Sequence, residues 1–208
     1  MAASLKRFMQ QIAEKKAPGP STSFTIFHLY YTLELLAARS LGRNKLAEKL
    51  CVGDGAVRTI ISRLKEAELI EISKGGANLT TKGREIWQQL KDVFPQQADM
   101  PKSDLTPSEF NHAYLVRDRG KKVGSGIDQR DAAIIAGARQ ALVIVYKDRH
   151  LWIESVSDSI EKQFPKAANQ LIEQLKPQDN DVIVVAGAES ALKAKRGAFA
   201  ATWTLINA

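Results

Sequence analysis

Arg58, Thr59, Ser62 and Arg63 stand within six positions of one another in LAEKLCVGDGAVRTIISRL, Leu46 to Leu64. Their types suit hydrogen bonding to nucleic acid. A guanidinium matches the paired acceptors of a guanine edge or a phosphate, and a small hydroxyl bonds base edges and phosphates alike. Between them Val57, Ile60, Ile61 and Leu64 recur at i, i+3, i+4 and i+7, so one helix would carry an apolar anchor and a polar reading face. Gly55, Thr59, Ser62 and Glu66 make up that face, flanked by Arg58, Arg63 and Lys65. Arg58, Thr59 and Arg63 are the expected groove contacts, with Ser62 next. Gly55 and Ala56 leave the helix start slim enough for a close approach.

Two further groups would position rather than specify. Arg43 and Lys45, at the start of the preceding helix, suit backbone phosphates, and Lys74 at a hairpin tip suits a neighbouring phosphate or the minor groove. A different stretch, KKVGSGIDQRDAA, places Gly124, Ser125 and Gly126 before a helix whose free N–H groups can hold an anion, with Arg130 and Asp131 beyond. The plainer reading is a tight turn at the glycines, a cap from Ser125 or Asp128, and Arg130 and Asp131 in an ion pair or a contact between copies. Neither a P-loop nor a dinucleotide fingerprint is present.

Catalysis is unmotivated. His28, His112 and His150 are scattered, and Cys51 is the only cysteine, so no nucleophile-base pair or metal-ligand spacing is legible and no cofactor or metal is expected. His28 reads as a core or interface histidine, and Trp152 and Trp203 as core or interface residues.

The elements that would hold these residues follow from period and punctuation. MAASLKRFMQQIAEKK carries an apolar stripe, Leu5, Phe8, Met9 and Ile12, for its own domain or for a contact between copies. APGPST ends that helix. A second helix, Phe24 to Arg39, shows Phe24, Phe27, His28, Tyr31, Leu35 and Ala38 on one face, with caps at Ser21 to Ser23. GRNKLAEKL follows, then the reading helix capped by Asp54, then IEISKGGANL as a hairpin, and then a helix from Thr80 or Thr81 to about Val93. Helices followed by a hairpin define a winged helix-turn-helix over 21–94, after an N-terminal helix and linker over 1–20. FPQQADMPKSDLTPSEF, with three prolines, reads as a linker over 95–109. Beyond it HAYLV, ALVIVY, LWI and DVIVVAG read as strands, and IDQRDAAIIAGA, Ser157 to Leu175 and the tail from Glu189 as helices. The expected fold class is α+β: the winged helix plus a two-layer α/β sandwich over 110–208, its helices on one sheet face.

The charge supports this division. Residues 1–94 hold 15 lysines and arginines against nine acidic residues, whereas 95–208 hold 15 against 14. The basic excess therefore accompanies the reading helix, as a polyanion-binding half requires. No apolar run spans a bilayer and no signal-peptide pattern opens the chain, so a cytoplasmic protein is expected.

GRNKLAEKLCVGDGAVRTIISRLKEAELIEISKGGANLTTKG, with SGIDQRDAAIIAGARQALVIVYKD downstream, resembles archaeal two-domain proteins with an N-terminal winged helix, known as transcriptional regulators. The second half is similar to the insert domain of bacterial aspartyl-tRNA synthetases and glutamyl-tRNA amidotransferase subunits. The motif and the charge together point to a transcriptional regulator binding double-stranded DNA, and because one recognition helix covers few base pairs a homodimer is expected, the second half joining copies, sensing a small-molecule effector, or both. An RNA- or translation-associated binding protein and an enzyme sited in the second half are the alternatives. Cys51 stands where such winged helices usually carry glycine.

Overall fold

A computed structural model of the chain describes residues 2–14, 23–153 and 160–206. The expectations placed on APGPST and on Ser157 to Ser159 lie outside the described residues. Two compact units divide between Leu90 and Lys91.

The first unit contains α1 (Ala2–Glu14), α2 (Ile26–Ala38), α3 (Arg43–Leu50), α4 (Asp54–Glu66), β1 (Ile70–Ser73), β2 (Gly76–Leu79) and the greater part of α5 (Thr81–Val93). α1 buries Leu5, Met9 and Ile12, spaced i, i+4, i+7, within its own unit against α2 and α4. α2 is buried nearly all round. Leu29, Tyr30, Leu33 and Leu36 are inside together with Phe24, Phe27 and His28, so the single face expected of it was too narrow. Its cap is Thr25 rather than the serines: the Thr25 N–H donates to His28 Nδ1 over 2.9 Å, and the two side chains meet at 3.1 Å, a reciprocal box closing the first turn. His28 is thus a structural group. Thr80 caps α5, its hydroxyl accepting from Gly83 N at 3.0 Å.

β1 and β2 pair antiparallel in the register Ile70↔Leu79 to Ser73↔Gly76, leaving Lys74 and Gly75 as a two-residue tip. Leu41 bridges to β2 at a single point, exchanging backbone hydrogen bonds with Ala77 at 3.2 and 2.9 Å. The return strand begins at Gly76. Gly76 is required there, because its φ is +117° and a Cβ would lie 2.5 Å from the Leu41 carbonyl.

The second unit is built on a five-stranded sheet of order β3-β4-β7-β5-β6, antiparallel throughout. Its strands are β3 (Gln97–Met100), β4 (Phe110–Val116), β5 (Gln140–Lys147), β6 (His150–Trp152) and β7 (Asp181–Ala188). The helices are α6 (Ile127–Ile135), α7 (Ile160–Gln163), α8 (Pro165–Leu175) and α9 (Ala191–Thr204). Two expectations are corrected here. The stretch 95–109 is not a linker: β3 pairs with β4, Ser103 N donates to Thr106 O at 3.0 Å, and Leu105 is buried. Pro95 and Pro101 bracket an edge strand, where a missing donor costs no ladder bond. Nor are there only two layers. Ala113, Leu115, Ile144, Ile183 and Val185 pack toward α7 and α8. The alternate residues of β4 and β7 face α9, where Tyr114 meets Phe199, and α6 lies beside β5 and α9. β7 is buried along its whole length because helices cover both faces.

His112 on β4 is 4% exposed. Its Nδ1 lies 2.7 Å from Asp99 Oδ1 and its Nε2 3.1 Å from Gln97 Oε1. Burial holds its pKa down to about 4; the Asp99 carboxylate pulls the other way and the charge of Lys195 adds to the depression.

Candidate nucleic-acid interface

The turn between α3 and α4 sets the angle of α4. Cys51 occupies the left-handed region at φ 50°, ψ 46°, and the next N–H, Val52, returns to Ala47 O at 3.3 Å. This closes α3 as a glycine would, with a side chain that disfavours the conformation. Gly53 is the N-cap of α4, and Asp54, expected as the cap, is the first helical residue.

Asp54 has another role that sequence reasoning missed. Its carboxylate bridges two candidate DNA contacts, with Oδ1 3.1 Å from Arg43 Nε and Oδ2 2.7 Å from Arg58 Nη2. Both arginines remain exposed and are gathered at one end of α4. The spacing Asp54 to Arg58, one helical turn, was the available signal.

Along α4, Val57, Ile60 and Leu64 are fully buried, as their period requires. Ser62 is exposed and hydrogen-bonded to Glu66 at 3.0 Å. Thr59 is half-buried, its hydroxyl on Gly55 O at 3.0 Å. Ile61, expected inside, is half-buried, while Arg63, expected in the groove, is inside at 6% exposure. Arg63 Nη1 donates to Ile12 O at 3.3 Å and to Ala13 O, and the guanidinium lies 5.0 Å over the Phe24 ring. The correction has a simple cause. Position 63 follows Ile60 by three residues and precedes Leu64, which is the anchoring face, and a long stem can bury there if its charge finds carbonyls and a ring.

The remaining candidates are exposed. Lys45 is exposed and paired with Glu48 at 2.8 Å, and Lys74 is exposed at the hairpin tip. A trough of about 330 Å³ runs between α4 and the hairpin, lined by Arg43, Arg58, Ile61, Ser62 and Ile72 among others. Ile72, on the outgoing strand of the hairpin, is 53% exposed. A helix face with guanidinium and hydroxyl groups beside an apolar trough can bond base edges and receive a thymine methyl.

Residues 28–94 match the family model described as the CggR N-terminal DNA binding domain. Over these residues the N-terminal unit is similar to that DNA-binding domain. Residues 107–205 match a domain of unknown function, DUF4443. Among solved structures, the chain is similar to the hypothetical protein PH0730 from Pyrococcus horikoshii OT3, with 27% identity and a TM-score of 0.72 over 88% of this chain and 93% of that one. ZitR of Lactococcus lactis aligns at 27% identity over 41% of this chain and 66% of its own, with a TM-score of 0.29 that offers no guide to the fold. No curated protein matches.

The CggR-like domain is thus joined to a second, DUF4443-like domain that carries the other candidate stretch. Gly124 and Gly126 both take positive φ, 51° and 75°, and Gly126 rather than Ser125 or Asp128 is the N-cap of α6, with no side-chain cap bond. A groove of about 520 Å³ between α6 and β5 is lined by Ser125, Gly126, Arg130, Arg139, Leu142 and Val143 among others. Gly124 and Asp131 do not line it. Arg139 is engaged by Glu189 at 3.0 Å, and Arg130 and Asp131 form no ion pair among the described residues. The loop entering α6 is held from below. Buried Asp181 accepts from Arg117 Nη1 at 2.6 Å, Asp118 N at 2.9 Å and Gln178 N at 2.7 Å, and Asn180 O accepts from Arg119 N and Gly120 N at 2.9 and 2.8 Å. Among the described residues no group of three or more His, Cys, Asp and Glu side chains is placed to hold a metal ion, and no helix is long and apolar enough to cross a membrane.

Proposed function

We propose that the protein is a transcriptional regulator that reads a duplex operator with α4 and joins two copies through its C-terminal domain. The observation that carries this reading is the exposed pair Arg43 and Arg58, gathered by Asp54, with exposed Ser62 one turn further along α4, in a basic domain of CggR-like type. Arg58 and Ser62 contact base edges, Thr59 lines the approach, and Arg43, Lys45 and Lys74 take phosphates. Arg63 is removed from the contact set. One such helix covers few base pairs, so specificity follows from two half-sites about 34 Å apart read by a dimer. A small-molecule effector belongs in the groove between α6 and β5, whose floor is apolar.

The test is selection of sites from a random duplex library at fixed salt, run with the wild type, Arg58→Ala/Ser62→Ala and Arg63→Lys. Enrichment of a palindromic site by the wild type and by Arg63→Lys, with none by the double variant, supports the reading. Equal enrichment by the double variant, or no enrichment at all, removes it.

A further inference from the structure

α6 shows the solvent a face of unusual composition. Its inner positions, Gln129 and Ala133, are buried, yet Ile127 is 56% exposed, Ile134 41% and Ile135 87%. Between the isoleucines lie exposed Arg130 and Asp131, neither in an ion pair among the described residues. Being adjacent in sequence, they point about 100° apart on the helix and are poorly placed to face each other.

Positions 127, 130, 131 and 134 follow i, i+3, i+4, i+7 and so make one stripe. The stripe is symmetric about the midpoint between Arg130 and Asp131. An antiparallel copy of α6 related by a two-fold axis at that midpoint sets Ile127 against the partner's Ile134 and Arg130 against the partner's Asp131, with the reciprocal pairs on the other side of the axis. A parallel arrangement sets arginine against arginine and carboxylate against carboxylate. Apolar layers outside and two opposite-charge pairs at the axis are what a self-complementary two-fold interface needs.

We infer that α6 is the seam through which two copies of this chain associate, antiparallel, with Arg130 and Asp131 paired across the axis. This rests on the dimeric reading above and names its surface. One helix of this length buries an area at the low end of specific interfaces, under about 1,200 Å² in total, so the dimer is concentration-dependent and is reinforced when both copies hold one duplex.

The experiment is sedimentation equilibrium of the full chain without DNA, for the wild type, Arg130→Asp, Asp131→Arg and the double swap, with circular dichroism to establish that each is folded. Each single swap opposes like charges twice and is expected to raise the dissociation constant about tenfold or more. The double swap restores the pairs with their signs reversed and returns it to near the wild-type value. A wild-type monomer at all concentrations overturns the inference, as does a dimer indifferent to the single swaps. The latter result leaves operator reading by α4 untouched. Failure of site selection by a chain whose dimer responds to the swaps removes the DNA reading and keeps the seam.

Discussion

The guanidinium of Arg63 rests 5.0 Å over the ring of Phe24 while its Nη1 reaches the carbonyls of Ile12 and Ala13 at the end of α1. The N-terminal helix is therefore tied to the underside of the reading helix by a charge facing away from solvent. Arg63→Ala leaves those carbonyls and the ring without their partner and is expected to lower stability by roughly 2 kcal/mol. Arg58→Ala, at an exposed position, leaves stability within about 0.5 kcal/mol and weakens operator binding by about 1–3 kcal/mol. Denaturant unfolding and fluorescence anisotropy on the same preparations separate the two effects. If Arg63→Ala loses affinity at full stability, the assignment is wrong.

Asp54 holds both Arg43 and Arg58 and so restrains them, and on the proposed reading its charge opposes a DNA backbone. Asp54→Asn removes that opposing charge. Affinity for random duplex is expected to rise about fivefold, the effect of roughly 1 kcal/mol of screened attraction. Discrimination between operator and random duplex should fall, and stability should change by less than about 1 kcal/mol. Titrations of both duplexes at two salt concentrations read affinity and discrimination together. Unchanged discrimination would show that Asp54 does not position the arginines.

Cys51 keeps the left-handed turn that sets α4 on α3. Cys51→Gly should stabilise the first unit by about 0.5–1 kcal/mol, since glycine takes this conformation without steric cost. Cys51→Val, branched at Cβ, should destabilise it by more than that. Thermal melting of the pair checks both signs, and the reverse order would refute the account of the turn.

His112 links the second unit to pH. Its folded-state pKa is near 4, below the ordinary 6.5, so the unfolded chain binds more protons between those values. Stability from this group is therefore complete above about pH 6.5 and is lost as pH falls toward 4, by on the order of 3 kcal/mol. His112→Gln should flatten that part of the stability profile, measured by denaturant unfolding at a series of pH values. A variant with the wild-type slope would place the dependence elsewhere.

Period carried much of this structure. The four apolar runs of the second half became strands, and Val57, Ile60 and Leu64 anchored α4 as their spacing required. The failures have specific physics. Arg63 was assigned by residue type although its position belonged to the buried stripe. β3 lay concealed because prolines at both ends resemble loop punctuation, whereas an edge strand tolerates them. The continuous run VIVVAGA signalled a strand covered on both faces, and a one-sided sheet was expected despite it. Asp54 and Asp181 act through partners brought in from other elements, from Arg43 and from Arg117, and no local pattern announces such pairs.

The sheet order also has a consequence for synthesis. β7 enters between β4 and β5, so the centre of the second unit is filled by residues 181–188, the last of its strands to be made. The first unit divides off at Leu90 and can close while the ribosome is still working. β4 and β5 must wait, their central edges uncovered, until some 70 and 40 further residues respectively have been added. A nascent chain therefore carries a finished N-terminal fold alongside unpaired strand edges, and this interval is when it is most exposed to aggregation.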